Sequence, residues 1–282
     1  MQSRIQQRFS ELRATRRAGL ITFLTAGDPT PAATVPCLHA LVRGGADLLE
    51  IGMPFSDPMA DGPIIQRASE RALHAGTTLA KVLAIVAEFR RDDTTTPIVL
   101  MGYLNPIEHR GYGRFAAEAR AAGVDGVLLV DLPPEEGGDL RAACFAQGLA
   151  QIFLLAPNST DERMASVCRA ATGFVYYVSV KGVTGGKAFD AAEVKAKVAK
   201  LRALTDLPIG VGFGVKTPAA AAEVAGVCDA VIVGSALVEI VEKAGGDAAR
   251  AAADLQQFVA GLRAALIAAA AGTARHTESR LT

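Results

Sequence analysis

Apolar residues along the chain collect into eight short runs: ITFLTAG (21 to 27), DLLEIG (47 to 52), PIVLMGY (97 to 103), GVLLVD (126 to 131), AQIFLLA (150 to 156), FVYYVS (174 to 179), LPIGVGFG (207 to 214) and DAVIVGS (229 to 235). The runs are continuous rather than alternating, the pattern of strands buried on both faces of a parallel sheet. Helical stretches separate them, among them Thr34 to Arg43, Gly113 to Ala122, Glu135 to Gln147 and Ala191 to Leu204. A weak repeat, GGADLLEIG, AGVDGVLLVD and AGVCDAVIVGS, joins a helix-ending glycine to an aspartate that opens a strand. Eight alternations of strand and helix predict a single α/β domain over 1–282, a closed (β/α)8 TIM barrel with extra helices. A doubly wound open sheet ranks second, because the turn after the first run, AGDPTPAA, is no GxGxxG. The Ala-rich stretch Ala251 to Ala271 predicts a helix covering the barrel, with a tail at 272–282 that frays.

Charge and cysteine content narrow the classes of partner. The 29 acidic and 29 basic residues balance without a long block of one sign, which leaves no footprint for nucleic acid or an anionic membrane. Cys37, Cys144, Cys168 and Cys228 are scattered without CxxC spacing, as expected of reduced thiols and not of a zinc site. The N-terminal MQSRIQQRFSELRATRR has no apolar leader segment, and no run approaches the ~18 apolar residues of a membrane span. The expectation is a soluble, cytoplasmic protein with no metal.

Active sites of such barrels lie at the C-terminal ends of the strands, so polar residues there are candidates. Glu50 sits two residues from the end of the second run, between Leu49 and Ile51, and should point into the barrel mouth. Desolvation there raises a carboxyl pKa and suits it to proton transfer. The alternative is a glutamate paired to a buried Lys or Arg, but no basic residue lies near it in sequence. Asp61 falls in SDPMADGP, where Pro54, Pro58 and Pro63 stiffen the surrounding chain, although an Asp before Gly62 is also an ordinary turn residue. Asp57, in an Asp-Pro pair, reads as structural.

Gly182 to Gly186 follow the sixth run, and Gly212 to Gly214 and Gly234 with Ser235 close the seventh and eighth, an order that suits backbone N–H groups closing on a phosphate. Tyr176 and Tyr177 should face opposite ways, one inward. Phe23, Met101, Tyr103, Leu128, Val130 and Phe213 could wall an apolar pocket for a flat aromatic group. The histidines, His39, His74, His109 and His276, show no metal-ligand spacing.

LEIGMPFSDPMADGP, followed in order by YYVSVKGVTG, VGFGV and VGSALVE, resembles the tryptophan synthase α-chain family from about Phe9 to the final helix. The resemblance implies a (β/α)8 barrel that acts as a carbon–carbon lyase, splitting indole-3-glycerol phosphate into indole and glyceraldehyde 3-phosphate. It implies a separate β chain carrying pyridoxal phosphate in an α2β2 complex, and no cofactor in this chain. Carried over residue by residue, it places the family's catalytic glutamate at Glu50, its catalytic aspartate at Asp61 and its active-site tyrosine at Tyr176. Phosphate binding falls on Gly185, Gly214, Gly234 and Ser235, and the indole pocket on Phe23, Tyr103 and Phe213. Two mobile segments correspond to 54–66 and 180–189, with Thr184 holding the aspartate on closure; no role follows for Lys181 or Lys187. Two other readings stand beside this one. A sugar-phosphate isomerase or epimerase barrel would need a metal-binding or paired-acid set that the strand ends lack, and a non-catalytic allosteric subunit would not need Glu50, Asp61 and Tyr176 together.

Overall fold

Each of the eight apolar runs forms a strand, and the strands pair in parallel and in chain order until β1 meets β8 in a closed barrel. This is the (β/α)8 arrangement and excludes the open sheet. The strands are β1 (Gly19–Thr25), β2 (Leu48–Gly52), β3 (Ile98–Gly102), β4 (Gly126–Leu129), β5 (Ala150–Leu155), β6 (Val175–Val178), β7 (Ile209–Gly212) and β8 (Ala230–Val233). The helices among the described residues are α1 (Arg4–Ala14), α2 (Pro31–Gly44), α3 (Pro63–His74), α4 (Leu79–Phe89), α5 (Leu104–Arg110), α6 (Tyr112–Ala122), α7 (Gly138–Ala146), α8 (Asp161–Ala170), α9 (Ala191–Arg202), α10 (Pro218–Ala225), α11 (Ser235–Lys243) and α12 (Ala248–Glu278). This computed structural model describes residues 2–179, 191–212, 214 and 216–278, with backbone alone at 191 and 272–278. Among the described residues no single helix is long and apolar enough to cross a membrane.

Strand alternation divides the core in two. Leu20, Leu49, Ile51, Leu100, Val127 and Val211 face the helices, while Ile21, Leu48, Val99, Leu128, Ile152 and Ile232 fill the barrel. Helix α1, which the sequence reading did not assign, belongs to the inner cluster through Ile5, Phe9 and Leu12. Its Phe9 ring lies 5.9 Å from that of Phe174, next to the first residue of β6, so α1 closes the N-terminal end of the barrel. A capping box between Ser3 and Gln6 starts the helix. At the other terminus α12 packs along α2 and α10 as the covering helix. It continues to Glu278, through part of the segment expected to fray.

The repeat has a physical basis. Asp47, just before β2, donates its N–H to the Leu20 carbonyl and accepts the Leu20 N–H on Oδ2 at 2.8 Å. Asp125 makes the same two bonds to Ile98, and Asp229 makes them to Ile209. Each aspartate thereby satisfies an N–H at the start of the neighbouring strand, a group that otherwise has no ladder partner. Each also pairs with arginine: Asp47 with Arg17 and Arg263, Asp125 with Arg4 and Arg90, Asp229 with Arg202. A fourth copy uses Thr172, whose hydroxyl accepts the Gln151 N–H at 2.8 Å while its own N–H donates to the Gln151 carbonyl. The strands therefore pair as β1β2, β3β4, β5β6 and β7β8. These latches hold the bottom of the barrel and leave its top to the site.

Candidate functional site

Glu50 is the inward residue at the middle of β2, in register with Phe23 on β1 and Val99 on β3. It is 1% exposed, and among the described residues neither carboxyl oxygen has a hydrogen-bond partner. The paired-glutamate alternative therefore finds no Lys or Arg there. Burial pushes the Glu50 carboxyl up to about 8, so the group is mostly protonated at neutral pH. Proton linkage gives this a sign. The unfolded chain loses the proton near its ordinary pKa, and the folded chain holds it until about 8. Stability therefore falls as pH rises through that window, by up to a few kcal/mol in total at about 1.4 kcal/mol per unit. Denaturant midpoints at about pH 5 and about pH 8 should fall further in the wild type than in Glu50→Gln. Equal falls in the two proteins would show that Glu50 is not held protonated.

Asp61 ends a loop that runs from Met53 to Gly62 and leads into α3. Its carboxylate does not cap that helix, whose N-cap is Gly62 without a side-chain cap bond, so the turn-capping alternative does not describe it. The Tyr103 hydroxyl donates to Asp61 Oδ2 at 3.0 Å and accepts the Ala60 N–H at 3.0 Å, gripping the loop beside the aspartate. Phe55 stacks on the same tyrosine with ring centroids 5.1 Å apart. On the backbone side, Gln66 Nε2 donates to the Asp61 carbonyl at 2.9 Å. Burial raises the Asp61 carboxyl and the Tyr103 hydrogen bond opposes the rise. Tyr103 is thus an anchor for Asp61 as well as the wall that the sequence suggested. Asp57, bonded to the Ser56 hydroxyl at 2.5 Å, is exposed on the outer part of the loop. The segment 54–66 is not one unit, since 63–66 already form the first turn of α3.

Tyr176 faces inward from β6, while Tyr177 packs among the helices. Burial raises the Tyr176 hydroxyl well above its ordinary value, and negative charge at Glu50 and then Asp61 adds to the rise. Glu50 and Asp61 both act electrostatically on Tyr176, although Glu50 and Tyr176 lie inside the barrel and not on the wall of the cleft around Asp61. Two glycines make room for neighbouring rings. A Cβ on Gly212 would sit 2.5 Å from the Tyr176 hydroxyl, and one on Gly52 would sit 2.6 Å from the Phe23 ring.

Of the expected indole-pocket residues, Phe23, Met101, Tyr103 and Val130 line one cleft together with Asp61. Leu128 lies in the sealed interior cluster and not on the cleft wall. The sequence reading missed Thr25, Met53, Ile65 and Ser69, which line the same cleft with Gly52 and Gly102. Thr25 was accessible to it, being the next inward position after Phe23. Gly234 and Ser235 begin α11, and a Cβ on Gly234 would lie 3.5 Å from Phe23, which places this helix N-terminus behind the cleft. Gly214 is exposed with open space around its Cα. Phe213, Thr184, Gly185, Lys181 and Lys187 lie outside the described residues. No group of three or more His, Cys, Asp or Glu among the described residues could hold a metal ion.

An ion-pair network ties the two sides of the site together. Arg71 on α3 forms a fork with the buried Asp28 carboxylate at 2.7 and 2.9 Å, and reaches Glu242 on α11 at 2.8 Å. Arg67, one turn earlier on α3, forks onto the same Glu242 at 2.7 and 2.8 Å. The helix that follows Asp61 and the helix that begins at Ser235 are therefore clamped to each other and to the turn after β1. The sequence reading did not find this clamp.

Comparison with known proteins agrees with the geometry. Residues 9–267 match the family model described as tryptophan synthase alpha chain. A relative described as tryptophan synthase alpha chain from Burkholderia thailandensis is 56% identical over 268 residues, 95% of this chain and 98% of that protein. The corresponding protein of Laribacter hongkongensis is 56% identical over 264 residues, 94% and 99% of the two chains. A crystal structure of tryptophan synthase subunit alpha from Legionella pneumophila superposes with a TM-score of 0.88 at 43% identity, covering 94% of this chain and 99% of that one. The chain belongs to the tryptophan synthase alpha chain family, the lyases that cleave indole-3-glycerol phosphate to indole and glyceraldehyde 3-phosphate.

Proposed function

We propose that Glu50, Asp61 and Tyr176 carry this cleavage, within one barrel domain spanning 1–282. The observation that carries the reading is a fully buried glutamate raised to about 8 that faces into the barrel and has no hydrogen-bond partner among the described residues. Cleavage requires a proton at indole C3, which breaks the aromatic system and places positive charge on the ring nitrogen. Glu50 enters protonated and supplies that proton. As a carboxylate it then takes the proton of the adjacent side-chain hydroxyl. The C–C bond breaks, its electron pair returns to the ring, and indole and the aldehyde leave. Glu50 ends protonated, ready for the next turnover.

Asp61 stands ready for the charge on the ring nitrogen. Tyr103 and the Gln66 bond hold it in place before that charge appears, so little reorganisation is required. Tyr176 orients the substrate between the two carboxyls. Phe23, Met101, Tyr103 and Val130, with Phe213, enclose the indole ring, and Gly185, Gly214, Gly234 and Ser235 seat the phosphate. Thr184 secures Asp61 when the segment that bears it closes over the substrate.

The proposed partner is a tryptophan synthase β chain in an α2β2 complex in the cytoplasm, with pyridoxal phosphate on that partner and no cofactor in this chain. Adding a purified β chain should raise indole release from indole-3-glycerol phosphate by about tenfold or more and shift the chain to a larger species on size exclusion, as expected if closure and binding are linked. An unchanged rate and elution volume would remove the partner from the account.

A further inference from the structure

Thr25 is the last residue of β1 and is 3% exposed, and among the described residues its hydroxyl has no hydrogen-bond partner. Three positions earlier on the same strand, Thr22 is fully buried with an equally unpartnered hydroxyl. A buried hydroxyl without a partner destabilises the fold, and valine fills nearly the same volume without that cost. The two threonines differ in what they face. Thr22 alternates outward to the helix layer, while Thr25 lines the cleft with Asp61, Tyr103 and Ser69.

Asp61 complements this arrangement. Its Oδ2 accepts from Tyr103, while Oδ1 receives no hydrogen bond among the described residues. The cleft thus contains a hydroxyl donor without an acceptor and a carboxylate oxygen without a donor. We propose that Thr25 is a positioning residue for Asp61: when an N–H-bearing aromatic ring binds beside Asp61, the Thr25 hydroxyl donates to the Asp61 carboxylate directly or through one water. Tyr103 and Thr25 then hold the carboxylate from two sides, opposite the ring N–H. This inference rests on the cleavage reading above and adds to it a residue that acts through Asp61.

The test compares the full-length wild type with Thr25→Val, Thr25→Ser and Thr22→Val, by steady-state indole release and by thermal midpoint. Thr25→Val should lose about tenfold in kcat with KM changed less than about twofold, because a less well held Asp61 carboxylate matters most when charge appears on the ring nitrogen. Thr25→Ser should restore kcat, and Thr22→Val should match the wild type. Both valine variants should melt at or above the wild-type midpoint, so activity and stability move in opposite directions at position 25 only. Wild-type kcat in Thr25→Val, or a loss that serine does not restore, overturns the inference while leaving the cleavage reading intact. A folded wild type that releases no indole overturns both.

Discussion

Glu50→Gln should slow indole release by about 10³-fold while substrate affinity stays within about threefold, because the residue is assigned two proton transfers and the effect of each lies in the range of about 10²–10⁴. Glutamine keeps the size and shape of the side chain but can neither deliver a proton to the ring nor accept one from the hydroxyl. The residue lies between apolar neighbours and, among the described residues, neither oxygen has a hydrogen-bond partner whose loss would confound the result. Stability should even rise at alkaline pH, since the group whose ionisation penalises the folded state is gone. Loss of turnover in a protein at least as stable as its parent separates chemistry from folding. Turnover of Glu50→Gln within about tenfold of the wild type would remove Glu50 from the proton transfers.

Asp61→Asn should lose about 10²–10³-fold in kcat, the scale of removing one preorganised electrostatic contact at a site of developing charge. Asparagine can still accept the Tyr103 hydroxyl, so the loop should keep its grip and the change isolates the charge. Binding of an uncleavable indole phosphate analogue should persist, because the uncharged ring needs the carboxylate less than the protonated ring does. Weaker analogue binding in proportion to the lost turnover would instead make Asp61 a ground-state binding group.

The barrel was legible because most strand positions are buried on both sides, so the strands read as near-continuous apolar runs. Glu50 was legible for the complementary reason: a carboxylate inside such a run has nowhere to go but the mouth. Other features were hidden by what a linear reading weighs. Helix α1 carries Ile5, Phe9 and Leu12 at helical spacing, but its many polar and charged residues mask that short apolar stripe in the linear pattern. The fourth latch escaped because a threonine does there what aspartate does in the other three copies.

Long-range side-chain bonds left no trace at all in the linear pattern. Tyr103 reads as an aromatic wall until its hydroxyl is found on Asp61, 42 positions away. Arg71 reads as a solvated helix charge until it is found joining Asp28, 43 positions distant, to Glu242, 171 positions distant. Sequence spacing reports which residues share an element; these contacts are set by how elements pack. They are also what fixes Asp61 and the α11 terminus relative to Glu50.

The most direct test of the account is to incubate the purified wild-type chain with indole-3-glycerol phosphate and quantify both products. Indole and glyceraldehyde 3-phosphate should appear in equal amounts, at a rate that Glu50→Gln reduces to near background. A folded chain that binds the substrate yet releases neither product, or one whose product release is unaffected by Glu50→Gln, would contradict the assignment of a buried, protonated Glu50 as the acid that starts the cleavage.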